Sequence, residues 1–293
     1  MVEQIKLKLA RLFRCALTLV SPRLNGIVVF YFKFRRFPDL KDPKEFNEKL
    51  LKLKLDDYDW NPLVRQCADK YAVRDYVRSK GLGHILNEII EVYDDVDDID
   101  FGRLPVKFAM KWNFGSGMNV ICHDKGQLDE KAVLKQMKKW GKGRYYLGYA
   151  EMQYKGVPKK IIVEKYIGNG ENRLPSDYKI YCFNGKAKAI LHISDRGTAD
   201  KKAAFFTTDW RYVGTPNDKY SRFDTPPDPP ESLEVMLEAA EKLSQGFPFV
   251  RVDFYECNGK AIFGEMTFTP AGCHDVSDML IDGIEMSDML CVQ

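Results

Sequence analysis

"FVRVDFYECNGKAIFGEMTFTP", residues 249 to 270, alternates like a β-hairpin, yet sets Arg251, Asp253 and Glu265 among apolar neighbours. Successive side chains of a strand point to opposite faces, so Val250, Val252 and Phe254 share one face and Arg251, Asp253 and Tyr255 the other. On the return strand Ile262, Gly264 and Met266 alternate with Phe263, Glu265 and Thr267. A plain two-residue turn at Asn258-Gly259 would set Glu265 on the face of Val252. One extra residue, as a longer loop or a bulge, gathers Arg251, Asp253, Glu265 and Thr267 on one face. Bulges re-aim side chains near active sites, so the pattern predicts one here. Two carboxylates on neighbouring strands repel unless a cation lies between them, and hard oxygen ligands of this kind suit Mg²⁺ shared with substrate phosphates. Arg251 would then stabilise negative charge on a transferred phosphoryl group or a tetrahedral intermediate. The plainer alternative is a cross-strand Arg251–Glu265 ion pair beside a solvated Asp253.

Upstream, "VKFAMKWNFGSGMN" (106–119) reads as a strand ending near Lys111, followed by Gly115, Ser116 and Gly117. Such glycines let backbone N–H groups approach a phosphate while the ammonium neutralises it. The lysine precedes the glycines, so this is not a Walker A loop, and an ordinary turn after a strand is the competing reading. "IIVEKYIGNG" (161–170) is an apolar strand interrupted by Glu164 and Lys165. It reads either as an edge strand with two solvated charges or as a linker whose backbone bonds an adenine edge, with Tyr166 or Ile167 over the ring.

The remaining pattern is helical over most of residues 1–104. Asp42 is the expected cap before Pro43, and one helix is expected over 68–80. A strand follows at 105–111 and a basic helix at 128–140. Strands are expected at 160–167, 178–183 and 186–193, the last two joined by the hairpin signal Asn184-Gly185, and a helix near 231–245. Helices first and hairpins later predict an α+β fold with antiparallel sheets.

With 45 basic and 42 acidic residues the net charge is +3, too balanced to argue for a nucleic-acid partner. Seven cysteines, an odd number without metal-ligand spacing, fit a reducing cytoplasm. Residues 1–20 carry an apolar stripe (Ile5, Leu9, Leu12, Leu17) beside Lys6, Lys8, Arg11 and Arg14. They are too interrupted to span a bilayer or to serve as a secretory signal. Two readings stay open for them: a helix packed on its own domain, or one lying on an anionic membrane surface, on the inner face of the cell membrane.

Taken in order, "ADKYAVRDYVRSKGLG" (68–83), "FAMKWNFGSGMN" (108–119), "VEKYI" (163–167) and "VRVDFYECNGKAIFGEMT" (250–267) resemble the ATP-grasp superfamily over roughly residues 45 to 270. "KWNFGSGMN", "SDYKIYCFNGKAKAI" and "GFPFVRVDFYECNGKAIFGEMTF" are similar to its TupA-like branch, associated with teichuronopeptide and capsular polysaccharide synthesis. The resemblance implies two α+β lobes clasping ATP after a helical N-terminal region. Its divisions would be a basic amphipathic segment at 1–40, a pre-grasp region at 41–104, a central ATP-binding lobe at 105–168 and a C-terminal lobe with the metal site at 169–293.

By position, the resemblance makes Lys70 and Lys111 the phosphate lysines and Gly115, Ser116 and Gly117 the loop over the phosphates. Glu164, Lys165, Tyr166 and Ile167 become the adenine hinge, and Glu171 a ribose contact. Asp253 and Glu265 become the Mg²⁺ ligands. The superfamily usually has an asparagine two residues after the second carboxylate; Thr267 stands here, a weaker oxygen ligand. Lys179 and Arg196 match the branch and would contact phosphate or an acidic acceptor alongside Arg251, unless they are ordinary surface charges. The implied activity is ATP-dependent ligation of a carboxylate-bearing saccharide or lipid-linked glycan to a small amine, through an acyl phosphate. A sugar or polyol kinase and a nucleotide-binding accessory to a glycosyltransferase are the alternatives. "TPAGCHD" (269–275) would shape the acceptor pocket or be a plain connection. A chain ending at Gln293 leaves little room for a further acceptor domain.

Overall fold

In the computed structural model, which describes residues 2–168 and 174–292, two antiparallel sheets hold the molecule together. The larger has six strands: β5 (Asp177–Phe183), β6 (Lys186–Ser194), β7 (Lys202–Phe206), β8 (Tyr212–Gly214), β9 (Phe249–Cys257) and β10 (Lys260–Thr267), in the order β10-β9-β5-β6-β7-β8. Asn184-Gly185 and Asn258-Gly259 close its two tight hairpins with both residues at positive φ (49° and 77°, 53° and 68°). That conformation matches the right-handed twist of the flanking strands, which is why Asn-Gly is so strong a hairpin signal. One face of this sheet is covered by the helix Leu233–Ser244. Its Met236, Ala239, Ala240 and Leu243, at helical spacing, are buried in the same core as Ile180, Val250, Val252 and Phe254.

The smaller sheet runs β1 (Ile89–Tyr93), β4 (Ile161–Lys165), β2 (Phe108–Trp112), β3 (Asn119–Cys122). It has its own apolar cluster, closed by Val133 and Met137 of the basic helix Glu130–Lys142. Asp129 caps that helix by accepting from the Ala132 N–H at 2.9 Å. β1 departs from the expected helical pattern before residue 104, so the small sheet takes an edge strand from upstream of residue 105. Pairing with β4, some seventy residues later, decides this segment rather than local propensity.

Two local expectations are corrected, and one of them places the site. The helix expected to begin after Asp42 begins at Phe46. The buried Glu48 carboxylate accepts from the N–H groups of Asp39, Lys44 and Glu45, gathering the entry chain around itself. The helix expected over 68–80 begins only at Val73 (Val73–Ser79), a separate helix, Pro62–Ala68, precedes it, and the helical run is interrupted at residues 69–72. Asp69 breaks it: its Oδ1 accepts from the N–H groups of Tyr71 and Ala72 and from Asn113 Nδ2, a local alternative to helical bonding. The turn lets the Lys70 N–H donate to Asn113 O at 2.8 Å and sends the Lys70 side chain between the two sheets.

Residues 2–34 form a helical hairpin, α1 (Val2–Val20) and α2 (Pro22–Phe34). Among the described residues no helix is long and apolar enough to cross a membrane.

Candidate functional site

The bulge falls at Gly264. Phe263 pairs with Phe254, but Glu265 pairs with Asp253 and Thr267 with Arg251, so the register slips by one residue and the polar side chains share a face. Glycine is required by the close approach: a Cβ at 264 would lie 2.9 Å from the Asp253 carbonyl oxygen and 3.3 Å from the Tyr255 ring. β5 completes the row, because Lys179 is paired with Asp253 and Asp177 with Tyr255.

This face lines a cleft of about 330 Å³ against the small sheet and its Gly115–Gly117 turn. Asp253 is buried and held by two cations: Arg251 reaches its two oxygens at 2.7 Å each, and Lys179 Nζ lies 2.6 Å from Oδ2. Lys179 also lies 3.4 Å from Asp177, which takes Arg196 Nε at 3.0 Å. Glu265 meets Lys70 at 3.1 Å, and the same ammonium donates to Gly115 O at 2.6 Å, tying the glycine turn to β10. The Arg251–Glu265 pair is therefore not the arrangement formed: Arg251 turns to Asp253 and Glu265 to Lys70. Five cations (Lys70, Lys111, Lys179, Arg196, Arg251) face three carboxylates (Asp177, Asp253, Glu265) along the cleft, a surplus of two positive charges. Such a surplus between low-dielectric walls attracts a polyanion.

Titration follows the geometry. Burial pushes Glu265 up, but Lys70, Lys179 and Arg251 together hold it well below the usual carboxylate range. Burial disfavours the charged forms of Arg251 and Lys179, and Asp253 overrides it in both, raising them. Asp177 goes the other way, raised by burial in spite of Lys179 and Arg196.

Beside the cleft a smaller cavity of about 100 Å³ opens between the sheets, with Ala109, Ile121, Ile167 and Leu174 among its apolar walls. Glu164, Lys165 and Tyr166 line it as well. Lys111 sits on the shared wall, paired to Glu164 at 2.8 Å, with Arg74 at 3.5 Å from the same carboxylate. The Lys165 ammonium is exposed toward Glu88, while its carbonyl accepts from Asn87 Nδ2. The half-buried Tyr166 ring meets His123 edge-on, and a Cβ at Gly168 would strike it at 2.4 Å. Glu171 lies outside the described residues.

On the far side of Arg251 and Glu265 lies a second large cavity of about 410 Å³. Tyr145, Tyr149 and Tyr154 wall it, and the segment 269–275 closes it through Pro270 and Gly272. Gly115, Ser116, Arg251 and Glu265 line both this cavity and the cleft, so the two meet there. Gly115, at φ 68°, packs so closely on Tyr145 and Met118 that a Cβ would be 2.7 Å from each. Glu151 at the cavity floor is raised by burial, although Thr269 donates to it at 2.8 Å.

Among the described residues no group of three or more His, Cys, Asp or Glu is set to hold a metal alone. Two carboxylates paired across β9 and β10 do fit a cation that takes its other ligands from phosphate and water. Asp177 Oδ1, buried on the same cleft wall without a hydrogen-bond partner, adds an unused oxygen donor. Thr267, the third expected ligand, shares their strand face; its Oγ1 accepts from Arg251 at 3.1 Å and, like Glu265, it lines the second cavity.

Asp177 was missed in the sequence, although its signal was present two residues before Lys179 on the same strand face. The tyrosine wall carried no periodic signal, since it comes from the irregular segment 145–154.

A TupA-like ATP-grasp family model matches residues 48–285. No curated relative matches the chain. Among solved structures, D-alanine–D-alanine ligase from Bacillus anthracis complexed with ATP is similar at 16% identity and TM-score 0.42, over 69% of this chain and 55% of that one. L-amino acid ligase from Bacillus licheniformis follows at 14% and 0.40, over 69% and 43%. The ADP complex of purK, N5-carboxyaminoimidazole ribonucleotide synthetase, aligns at 9% and 0.43, over 70% and 46%. The chain spans about half the length of these structures.

Proposed function

Because the chain belongs to the TupA-like family of ATP-grasp proteins, within a superfamily of ATP-dependent carboxylate–amine ligases, we propose that it joins a carboxylate to an amine through an acyl phosphate. One observation carries this reading: a cation-rich cleft and a second cavity meet at Arg251, Glu265 and the Gly115–Ser116 turn. A phosphoryl donor in one and an acceptor in the other would react across that junction.

In this reading the adenine lies in the apolar cavity beside Glu164 and Ile167, and Lys70, Lys111 and Lys179 take the phosphates. Asp253 and Glu265 would hold Mg²⁺, which supplies charge neutralisation to the transferred phosphoryl group. Arg251, reaching both spaces, brings the acceptor carboxylate up to the γ-phosphorus, two anions that would otherwise repel. A carboxylate oxygen bonds to that phosphorus as its bond to the bridging oxygen breaks and ADP leaves. The amine nitrogen then bonds to the acyl carbon, phosphate departs with the electron pair, and the nitrogen gives up a proton. Arg251 and the backbone of the glycine turn stabilise the charge at each stage.

The acceptor in this proposal is a uronic-acid-type carboxylate of a surface polysaccharide or its lipid-linked precursor, and the amine is an amino acid. Tyrosine rings beside a guanidinium suit a carboxylated sugar, with apolar faces for the ring and a fixed charge for the acid. The reaction would draw on cytoplasmic ATP at the inner face of the cell membrane.

A kinase acting on a sugar or polyol is favoured by one feature. Besides Glu265, the carboxyls on the second cavity are Glu151, bonded by Thr269, and Asp275, paired with Lys33 and Lys219. Among the described residues no uncommitted acid there awaits an ammonium.

Purified protein with ATP, Mg²⁺ and pools of uronic acids and amino acids separates the readings. ADP and phosphate that require both a carboxylate and an amine, and that vanish in Asp253→Asn, support the ligase. ADP with a phosphorylated sugar and no amine requirement moves the assignment to the kinase. Nucleotide binding without turnover on any acceptor favours an accessory role.

A further inference from the structure

The α1–α2 hairpin turns its apolar side outward. On α1, Leu9, Leu12, Phe13, Leu19 and Val20 are 50–79% exposed. At 100° per residue they fall within one arc of the helix. Toward the C-terminal end of α1 the opposite side is bound to the protein: Thr18 is buried and donates to Leu147 O at 2.8 Å, and Asn25 Nδ2 bonds both Thr18 Oγ1 and Arg14 O at 2.7 Å. Residues 6–13 project beyond that contact and are exposed all round, Leu7 at 66% included. α2 extends the patch, since Phe32 is 56% exposed and its ring meets Phe13 edge-on at 6.4 Å. Isolated apolar residues on a surface are ordinary, but a continuous stripe along a helix marks something that covers it.

Charge says what the cover is. Lys6 and Lys8 project from the two borders of the stripe, with Arg11 beyond Lys8, and among the described residues none of the three makes an ion pair. An apolar face with unpaired cations along its edges is complementary to a bilayer interface carrying anionic headgroups.

We propose that the α1–α2 hairpin docks on an anionic lipid surface, with α1 lying in the interface and its apolar stripe in the acyl region. The assignment is independent of the ligase reading, although it bears on it. Arg14 stacks over the Tyr149 ring at 4.7 Å, and Tyr149 walls the second cavity, so docking would hold that cavity beside the membrane.

The test is co-sedimentation of the full chain with phosphatidylcholine vesicles, with and without phosphatidylglycerol. Wild type should partition onto the anionic vesicles and not the zwitterionic ones. The triple variant Leu9→Glu, Leu12→Glu, Phe13→Glu should lose at least about a hundredfold in partitioning, and Lys6→Glu or Lys8→Glu about fivefold per charge removed. These positions are exposed, so thermal unfolding should be unchanged, which separates lost docking from lost folding. The proposal is overturned if wild type ignores anionic vesicles, or if the triple variant partitions as well as wild type. It is equally overturned if sedimentation velocity shows a dimer that the triple variant abolishes, for then a second copy covers the stripe.

Discussion

Two of the buried charge clusters among the described residues share a chemistry and differ in balance and access: Lys54–Asp59 and the group around Asp253. Lys54 and Asp59, both fully buried, pair at 2.9 Å; the ammonium also donates to Ala150 O, and Asp59 Oδ1 accepts from the Met152 N–H. One cation meets one anion, the main chain takes the remaining bonds, and neither residue lines the cleft or the two cavities that adjoin it. The Asp253 cluster has the same chemistry and a different balance. Arg251 and Lys179 converge on one carboxylate, Arg196 and Lys179 on Asp177, and Asp177 still has an oxygen without a partner. A closed pair positions chain, whereas a surplus of cation beside an open cleft stores attraction for an anion still to come. Burial and ion pairing are common to both, so they do not tell a site from a strut; stoichiometry and access do.

The hardest test of this contrast is Asp253→Asn. Turnover per folded molecule should fall at least about a thousandfold, a loss of about 4 kcal/mol in transition-state stabilisation, measured as ADP release with unfolding followed in parallel. Residual activity within tenfold of wild type would place the chemistry elsewhere. Lys54→Met should do the reverse. Asp59 is already raised by burial in spite of Lys54, and stranding it should cost about 3–5 kcal/mol in denaturant unfolding. Turnover corrected for the folded fraction should be unchanged, and a specific loss of turnover there would erase the distinction.

Gly264→Ala probes the bulge that turns the cluster toward the cleft. The new methyl meets backbone at 2.9 Å, so about 1–3 kcal/mol of stability should be lost, with turnover reduced as Glu265 is displaced from Lys70. A variant as stable and as active as wild type would show that the register tolerates a side chain.

The smallest effect concerns pH. Burial holds His192 down at about 4 and His274 at about 3, the latter helped by Lys54, Arg14 and Lys33. Both are depressed below the ordinary histidine value, so the fold favours the neutral rings. Their contribution is fully present above about pH 6.5 and is lost as pH falls toward 4 and 3. Melting temperature should decline through that window, and His274→Phe should flatten the decline. An unaltered slope in that variant would mean that His274 does not carry the effect.

Much of the site was legible along the chain. The β9–β10 bulge followed from a conflict between alternation and an Asn-Gly turn, Lys111 and the glycine turn were found by residue type and order, and Lys70 came from the family resemblance alone. They converge on one cleft with Lys179, Arg196 and Arg251. Thr267 was read with the carboxylates because it shares their strand face; its bond from Arg251 and its place on the second cavity were not legible in the sequence. Asp69 was read inside the first turn of a helix over 68–80, whereas its Oδ1 accepts from Tyr71 and Ala72 and from the distant Asn113, which holds residues 69–72 out of the helix.

Local chemistry therefore settled the α+β class, the hairpins and the register shift that sets the charged side chains on one face. These depend on alternation, turn conformation and charge, all readable within a few positions. Tertiary structure alone decided which partner each charge takes, that β1 joins the small sheet, that a tyrosine-walled cavity adjoins the cleft, and that the stripe on α1 faces outward. Each of those depends on segments tens to hundreds of residues apart coming together, and a sequence pattern carries no record of what lies across such a distance.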